Sequence, residues 1–246
     1  MPVSTTVTGM VLSAMPVGDY DKRLVILTKE HGKITAFAKG ARRPNSALLA
    51  CGQPFTFGEF TLYPGKTAYN ILSVDISNYF GELREDFEGL CYGFYFCEVA
   101  DYLTKENNDE KEILKLLYQT LRALTKKTVP PALIKVIYEF KIITLSGEAP
   151  QVFECVKCGK KIEKAYFHTQ SRGILCEDCN RLSKGAISIG TSALYTMQYI
   201  ISKEIEKLYT FKVSDEVQEE LERCIRSYLD SYMEHDFKSL EMLKSF

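Results

Sequence analysis

The chain has 246 residues, of which 46% are hydrophobic and 26% charged, and its net charge is −1. This length and composition are typical of a globular protein of two or three domains. No apolar run approaches the ~18–20 residues that a membrane helix needs, and the opening MPVSTTVTGM lacks a secretory signal pattern. We therefore expect a cytoplasmic protein that does not enter the membrane.

The charge is unevenly distributed along the chain. Residues 1–80 carry 8 basic and 5 acidic side chains, and residues 151–184 carry 7 and 4, so each segment has a net charge of +3. Residues 81–150 and 185–246 have net charges of −3 and −4. A polyanionic partner is therefore expected first at the N-terminus.

The first eighty residues predict a sheet. Short segments rich in Thr, Val, Ile and aromatic residues alternate with turn signals, which favours a small closed or sandwiched β-domain over residues 1–80. Gly9 within the first segment indicates a bulge or a sharp bend. The five predicted strands lie within TTVTGMVLSA, RLVILT, KITAFAKG, PFTFGEFTLY and TAYNILSVDI.

The pattern then changes to a period near 3.6 residues, which predicts helices over residues 81–150 and 185–246. Ser214 is the expected N-cap of the last long helix, because Asp215 and Glu216 follow in its first turn. Five stripes carry the signal: Phe87, Leu90, Cys91, Phe94 and Tyr95; Leu114, Leu117, Leu121 and Leu124; Leu133, Val136, Ile137, Phe140 and Ile143; Leu194, Met197, Ile201, Ile205 and Leu208; and Val217, Leu221, Cys224, Tyr228 and Tyr232.

Two Cys-x-x-Cys pairs interrupt the helical pattern, in residues 151–184. Cys155 and Cys158 are separated from Cys176 and Cys179 by seventeen residues, which falls within the spacing expected for a four-cysteine zinc site. Each pair supplies two sulfurs from one tight turn, and the intervening residues can fold as a hairpin that completes a tetrahedron. The spacing predicts one structural Zn²⁺ per chain.

Two alternatives to zinc are a thioredoxin-like dithiol and a pair of disulfides. A reducing cytoplasm disfavours structural disulfides, and two pairs fit a shared metal better than two redox centres. The other four cysteines are scattered and are expected to be small core residues. They are Cys51, Cys91, Cys97 and Cys224.

A catalytic role for the metal is not favoured. Four thiolates close the zinc coordination shell, whereas a catalytic zinc keeps one position open. His168 is a possible substitute ligand, but four cysteines are already present, so a surface position on the hairpin is expected for it. The sequence has no P-loop, H-E-x-x-H or G-x-S-x-G motif and nominates no nucleophile or general base.

The best candidate for binding is the basic segment AKGARRPNS, residues 38–46. Lys39, Arg42 and Arg43 place three cations within five residues at the end of a predicted strand, and Lys22 and Arg23 are expected nearby. Such a cluster at the rim of a small barrel suits contacts to phosphates. The alternative is a basic turn without a ligand. The candidates for exposed aromatic residues that could stack bases are Phe55, Phe57, Tyr63 and Tyr69.

Three segments resemble the RecO family of recombination mediators. VGDYDKRLVILTKEHGKITAFAKGARRPNSALLACGQPFTFGEFTLYPGK is similar to the family's N-terminal OB-fold, with its Lys-Gly-Ala-Arg-Arg loop. LSGEAPQVFECVKCGKK resembles the approach to the family's zinc cysteines, and IRSYLDSYMEHDFKSLEMLKSF resembles its closing segment. Asp19 and Asp21 stand where family members often have Glu.

The resemblance implies an α+β multidomain protein: an N-terminal OB-fold barrel (1–80) and a helical bundle (81–150 and 185–246) carrying the four-cysteine zinc ribbon or knuckle as an insertion (151–184). It also implies a non-enzymatic DNA repair protein that binds single- and double-stranded DNA and anneals complementary strands. With RecR it would help RecA replace single-strand-binding protein, whose tail would occupy a hydrophobic pocket of the helical body. Nucleoid association follows from this role.

Carried over to this chain, the resemblance makes Lys39, Arg42 and Arg43 the main expected DNA contacts, with Lys22 and Arg23 secondary. Two other classes of function remain open from the sequence. One is a zinc-ribbon adaptor that binds protein and does not touch DNA. The other is a metalloenzyme whose catalytic residues are not part of a recognisable motif.

Overall fold

Alternating side chains at the N-terminus build a closed five-stranded barrel in the computed structural model, which describes residues 3–162 and 164–243. The strand order is β1-β2-β3-β5-β4, with β1 also paired to β4 and with β3 parallel to β5. This topology is that of an OB-fold barrel, as predicted. The strands are β1 (Thr5–Val17), β2 (Asp21–Thr28), β3 (Gly32–Ala38), β4 (Phe57–Pro64) and β5 (Tyr69–Asn78).

The two-residue period of the strands sorts side chains between the barrel core and solvent. Along β3, Ile34, Ala36 and Ala38 are buried, and the residues between them are partly exposed. The small alanines fit the narrow interior, where Leu24 and Phe60 supply the bulk. The sequence pattern therefore determines which side chains of the strand pack in the barrel core and which face solvent.

Close backbone approaches explain two glycines of the barrel. A Cβ at Gly58 would lie 2.1 Å from the Asp75 carbonyl oxygen, and one at Gly9 would lie 2.8 Å from that of Leu27. The register shift of β1 lies between Val11 and Ser13, so the irregularity predicted at Gly9 occurs at Leu12, three residues further on.

Helices α1 (Phe87–Leu103) and α2 (Lys111–Lys126) follow the barrel. Asp86 caps α1 by accepting a hydrogen bond from the backbone N–H of Gly89 at 3.1 Å. The stripe predicted for α2 is buried throughout. The stripe predicted for α1 is wrong in part, because Phe87 and Phe94 are 61% and 36% exposed. Helix α1 packs against β1, α2 and the C-terminal helix, so it buries more than one face.

Helix α7 (Lys238–Leu243) docks on α1 through a carboxylate. Glu98 accepts hydrogen bonds from the backbone N–H groups of Lys238 and Ser239 at 3.1 and 3.0 Å. The ring of Phe237 packs edge-on against Tyr95. A six-residue helix is unstable alone, so these contacts hold it in place.

The C-terminal half contains the remaining helices and a small sheet. Its elements are α3 (Pro131–Leu145), β6 (Ala165–His168), β7 (Gly173–Leu175), α4 (Glu177–Arg181), β8 (Ile187–Ile189), α5 (Thr191–Ser202) and α6 (Asp215–Tyr232). The three strands pair in the order β7-β6-β8. Helix α3 packs against both α5 and α6, and its predicted stripe is buried. Ser214 is the N-cap of α6, as predicted.

A buried lysine fixes the end of α5. The ammonium group of Lys141 on α3 donates to the carbonyls of Ile200, Ile201 and Lys203 at 3.3, 3.0 and 2.6 Å. Its positive charge also complements the negative end of the α5 dipole. Helices α3 and α5 are therefore joined by a polar contact as well as by apolar packing.

The chain divides into two compact units, Met1–Lys126 with Phe237–Phe246 (unit 1) and Lys127–Asp236 (unit 2). This division places α1, α2 and α7 with the barrel. The three-part organisation expected from the sequence stays a prediction. None of the helices in the described residues is long and apolar enough to cross a membrane.

Candidate metal centre and basic rim

The four cysteines of unit 2 converge on one point. The sulfur atoms of Cys155, Cys158, Cys176 and Cys179 all lie within 4.8 Å of one another. Cys155 is buried, Cys158 is exposed, and the other two are half-buried. The prediction that the two distant Cys-x-x-Cys motifs form one cluster is confirmed. This cluster could hold a metal ion.

Local structure explains how the two turns meet. The backbone N–H of Gly159 donates to the Cys155 carbonyl at 2.8 Å, and the φ of +70° at Gly159 favours glycine. The antiparallel pair β6–β7 then returns the chain. Cys176 lies at the N-cap of α4, and Cys179 lies within that helix. The hairpin therefore brings the second turn beside the first.

The spacing of the sulfurs fits a metal better than a disulfide. The Sγ atoms of Cys158 and Cys176 are 3.7 Å apart, whereas bonded sulfurs are about 2.05 Å apart. Two thiolates bound to one tetrahedral zinc at about 2.3 Å each are separated by about 3.8 Å. The donor set also suits a thiophilic ion.

The pKa values of Cys155 and Cys179 show how readily each of these thiols ionises in the cluster. Burial raises the pKa of Cys155, but hydrogen bonds from the backbone N–H groups of Cys176, Lys157 and Cys158 outweigh it and lower that pKa to about 6. Burial and the neighbouring thiols raise the pKa of Cys179 to about 12. One thiolate thus forms readily, and a fully ionised cluster needs a cation to balance it.

The cysteine segment is fastened to the helices of unit 2 by polar contacts. The hydroxyl groups of Thr169 and Ser227 are 2.8 Å apart. Arg172 donates from its guanidinium to the carboxylate of Glu148, which follows α3, at 2.7 Å. Gln198 on α5 donates from its amide to the Val152 carbonyl at 2.7 Å. The segment therefore bridges α5, α6 and the end of α3.

His168 is not at the surface, so that expectation was wrong. It is only 7% exposed. One ring nitrogen lies 2.7 Å from the Ser171 hydroxyl, and the other lies 3.1 Å from the Lys184 carbonyl. The contact to Lys184 joins the hairpin to the segment before β8. The four other cysteines are buried, as predicted, and burial raises the pKa of Cys224 to about 12.

The predicted basic loop is exposed at one end of the barrel of unit 1. We call the loop 39–46 together with the β1–β2 turn (18–20) the basic rim. Lys39, Arg42 and Arg43 are all exposed. Among the described residues, none of these three side chains forms an ion pair with a carboxylate within 4.0 Å, so their charges face solvent.

Hydrogen bonds fix the two parts of the basic rim to each other. The backbone N–H of Arg42 donates to the Tyr20 carbonyl at 2.9 Å, and its guanidinium donates to the Gly18 carbonyl at 3.1 Å. The backbone N–H of Gly40 donates to the Asp21 carboxylate at 2.7 Å. The Arg43 guanidinium lies over the Tyr20 ring, 4.9 Å from its centroid. The basic rim is therefore ordered without a ligand.

Lys22 and Arg23 point in opposite directions, because they are neighbours on one strand. Arg23 is exposed on the outer face of β2. Lys22 is half-buried and donates from its ammonium group to the Gly52 carbonyl at 2.6 Å. Its charge also lowers the pKa of Cys51, although burial dominates and raises that pKa to about 11.

The aromatic residues sought for base stacking are placed differently from one another. Phe55 is 1% exposed and packs against Phe94, so its assignment to an open groove was wrong. Phe57 packs against Tyr118 at 4.7 Å between ring centroids. Tyr63 is 39% exposed. The sequence interpretation missed Tyr20, which is 51% exposed beside the cations; the Asp-Tyr-Asp turn at the start of β2 was the available signal.

Comparison with known families gives two adjoining matches. A family model described as "Recombination protein O N terminal" matches residues 1–80. A second, described as "Recombination protein O C terminal", matches residues 84–241. The first match covers the barrel, and the second covers both the helices and the four-cysteine cluster.

Curated relatives match along nearly the whole chain. Proteins named DNA repair protein RecO from Acetivibrio thermocellus and Alkaliphilus metalliredigens are each 32% identical to it over 238 residues. The match covers 96% of this chain and 95% and 97% of those relatives. The protein of the same name from Symbiobacterium thermophilum is 30% identical over 241 residues.

Proposed function

The chain belongs to the RecO family of DNA repair proteins, and from that premise we propose that it is a recombination mediator that binds DNA through its basic rim. It binds single- and double-stranded DNA and anneals complementary strands. The observation that carries this proposal is the exposure of Lys39, Arg42 and Arg43 without carboxylate partners among the described residues. Arg23 on the outer face of β2 extends the same surface.

Annealing in this proposal depends on charge neutralisation. Two DNA strands repel each other through their phosphates, and cations that contact both strands bring them close enough for base pairing. Lys39, Arg42 and Arg43 supply those cations, and Arg23 is a secondary contact. Lys22 is the other secondary contact predicted from the sequence, but its ammonium group donates to the Gly52 carbonyl, so in this proposal it stabilises the fold and does not contact DNA. No step requires a nucleophile or a general base, so the protein is not an enzyme.

The metal held by Cys155, Cys158, Cys176 and Cys179 is proposed to be one structural Zn²⁺ per chain. Four thiolates close the coordination shell, so the bound ion supplies a cross-link between the two turns and no reactive position. The backbone N–H groups that lower the pKa of Cys155 also stabilise its thiolate. Because the segment is bonded to α5 and α6, the cross-link stabilises unit 2.

The partners follow from family membership. We propose that, with RecR, the protein helps load RecA onto DNA coated by single-strand-binding protein. It acts in the cytoplasm, associated with the nucleoid. Its binding to DNA is tolerant of sequence, since phosphate contacts carry no information about bases.

A salt titration of DNA binding tests the proposal. Fluorescence anisotropy of a labelled single-stranded oligonucleotide is measured with the intact protein at several salt concentrations. If the four exposed cations each contact one phosphate, the slope of log K against log[salt] is about −3. A protein adaptor that does not touch DNA would give no salt-sensitive binding, and that result would refute the proposed function.

A further inference from the structure

The basic rim contains an exposed aromatic ring in contact with one of its cations. Tyr20 lies in the turn between β1 and β2 and is 51% exposed. The guanidinium of Arg43 lies over its ring at 4.9 Å. About half of the tyrosine remains accessible, and its turn is hydrogen-bonded to the loop that carries Lys39 and Arg42. Aromatic rings and guanidinium planes are the two surfaces on which proteins stack nucleobases.

The Tyr20–Arg43 pair is held in place from both sides. The Tyr20 carbonyl accepts from the backbone N–H of Arg42, and the neighbouring Asp21 carboxylate accepts from that of Gly40. The φ of +67° at Gly40 sets the direction of the loop. Arg43 is bonded back to the Gly40 carbonyl through its own N–H at 3.0 Å. A ligand therefore meets a preformed surface and loses little entropy in ordering it.

The outer face of the adjoining strands continues this surface. Met15 on β1 pairs with Arg23 on β2, and Arg23 pairs with Phe37 on β3. Met15 is 59% exposed, Arg23 is exposed and Phe37 is partly exposed. A cation thus lies between two apolar side chains across three strands. This mixture suits a chain that presents phosphates and flat bases together.

We propose that Tyr20, together with Arg43, forms a stacking platform for an unpaired nucleobase of single-stranded DNA. This inference rests on the proposed function and adds that the protein recognises an unpaired base as well as the phosphates. Bases in a duplex are stacked on each other and do not reach the platform, whereas its phosphates reach Lys39 and Arg42 equally well. The platform therefore increases the affinity for single strands relative to duplex DNA, which the cations alone cannot do.

Two labelled probes of equal length separate stacking from charge: an oligothymidine and an abasic oligomer with the same phosphates. Tyr20→Ala is expected to weaken binding of the oligothymidine by a factor of about 5 to 150 and to leave binding of the abasic oligomer unchanged. Tyr20→Phe keeps the ring and is expected to bind both probes like the parent. Tyr79→Ala, which removes a ring that is 46% exposed elsewhere in unit 1, is the matched control and leaves both affinities unchanged.

The outcomes distinguish the platform from the underlying function. Equal loss of affinity for both probes in Tyr20→Ala would show that Tyr20 only positions Arg43, and it would overturn the platform. Unchanged affinity for the oligothymidine in that variant would also overturn it, while leaving DNA binding intact. If the parent binds neither probe, the platform and the proposed function both fail. Thermal melting of each variant confirms that the fold is retained.

Discussion

The ammonium group of Lys22 donates to the Gly52 carbonyl at 2.6 Å, whereas the side chain of Lys39 is in solvent. A Cβ at Gly52 would lie 2.8 Å from Cδ of Lys22, so the lysine packs closely on this segment. A half-buried carbonyl that loses a charged donor is costly to leave unsatisfied. The two lysines are therefore expected to contribute to different properties of the protein.

Substitution of each lysine separates these contributions. Lys39→Ala is expected to flatten the slope of log K against log[salt] for DNA by about 0.7 to 0.9 and to leave stability unchanged. Lys22→Met is expected to lower the free energy of unfolding by about 1.5 to 3 kcal/mol without changing that slope. Anisotropy titrations and urea denaturation provide the two measurements. A Lys22→Met variant with parental stability and a flattened slope would reverse the assignment.

At the scale of elements, the four-cysteine segment contacts α5, α6 and the residues that follow α3. Its hydroxyl contact between Thr169 and Ser227 and the ring contact between Phe167 and Tyr228 reach α6. None of the five cations predicted to bind DNA lies in this segment. The metal should therefore affect the stability of unit 2 and leave the DNA contacts of unit 1 unchanged.

Removal of one ligand tests this separation. Cys155→Ser is expected to lower the free energy of unfolding by about 4 kcal/mol or more, because it opens the coordination shell of a structural metal. A chelator should destabilise the parent and have no further effect on the variant. The matched control is Lys161→Ala, an exposed change beside the same turn, which should melt like the parent. A parent that melts at the same temperature with and without chelator would contradict the structural role.

On the scale of the whole molecule, the sequence predicts best those structural features that depend on residues close together in the chain. Short segments rich in β-branched and aromatic residues, bounded by turn signals, predicted all five barrel strands, and the spacing of the two Cys-x-x-Cys pairs predicted their convergence. Both signals are local, because each follows from the geometry of a strand or of a tight turn.

What the sequence did not predict depends on contacts between distant segments. Phe55 lies two residues before Phe57, so a continuous strand would place both rings on the same face. Strand β4 begins only at Phe57, however. The ring of Phe55 instead lies 3.1 Å from the position that a Cβ of Gly93 would occupy. Because Gly93 on α1 has no side chain, it leaves room for that ring. The alternation of residues in the strand gives no information about this glycine. His168 is buried for a similar reason, since its partner at Lys184 is sixteen residues away.

The central claim is that the basic rim attracts DNA by neutralising its phosphates. Its most direct test compares the salt dependence of single-stranded DNA binding in the parent and in Arg42→Ala/Arg43→Ala. The matched control is Lys29→Ala/Lys105→Ala, which removes the same charge from exposed positions away from the rim; Lys29 follows the opposite end of β2. We predict that the rim variant flattens the slope of log K against log[salt] by about 1.4 and that the control leaves it near the parental value. Equal slopes in the parent and the rim variant would contradict the account.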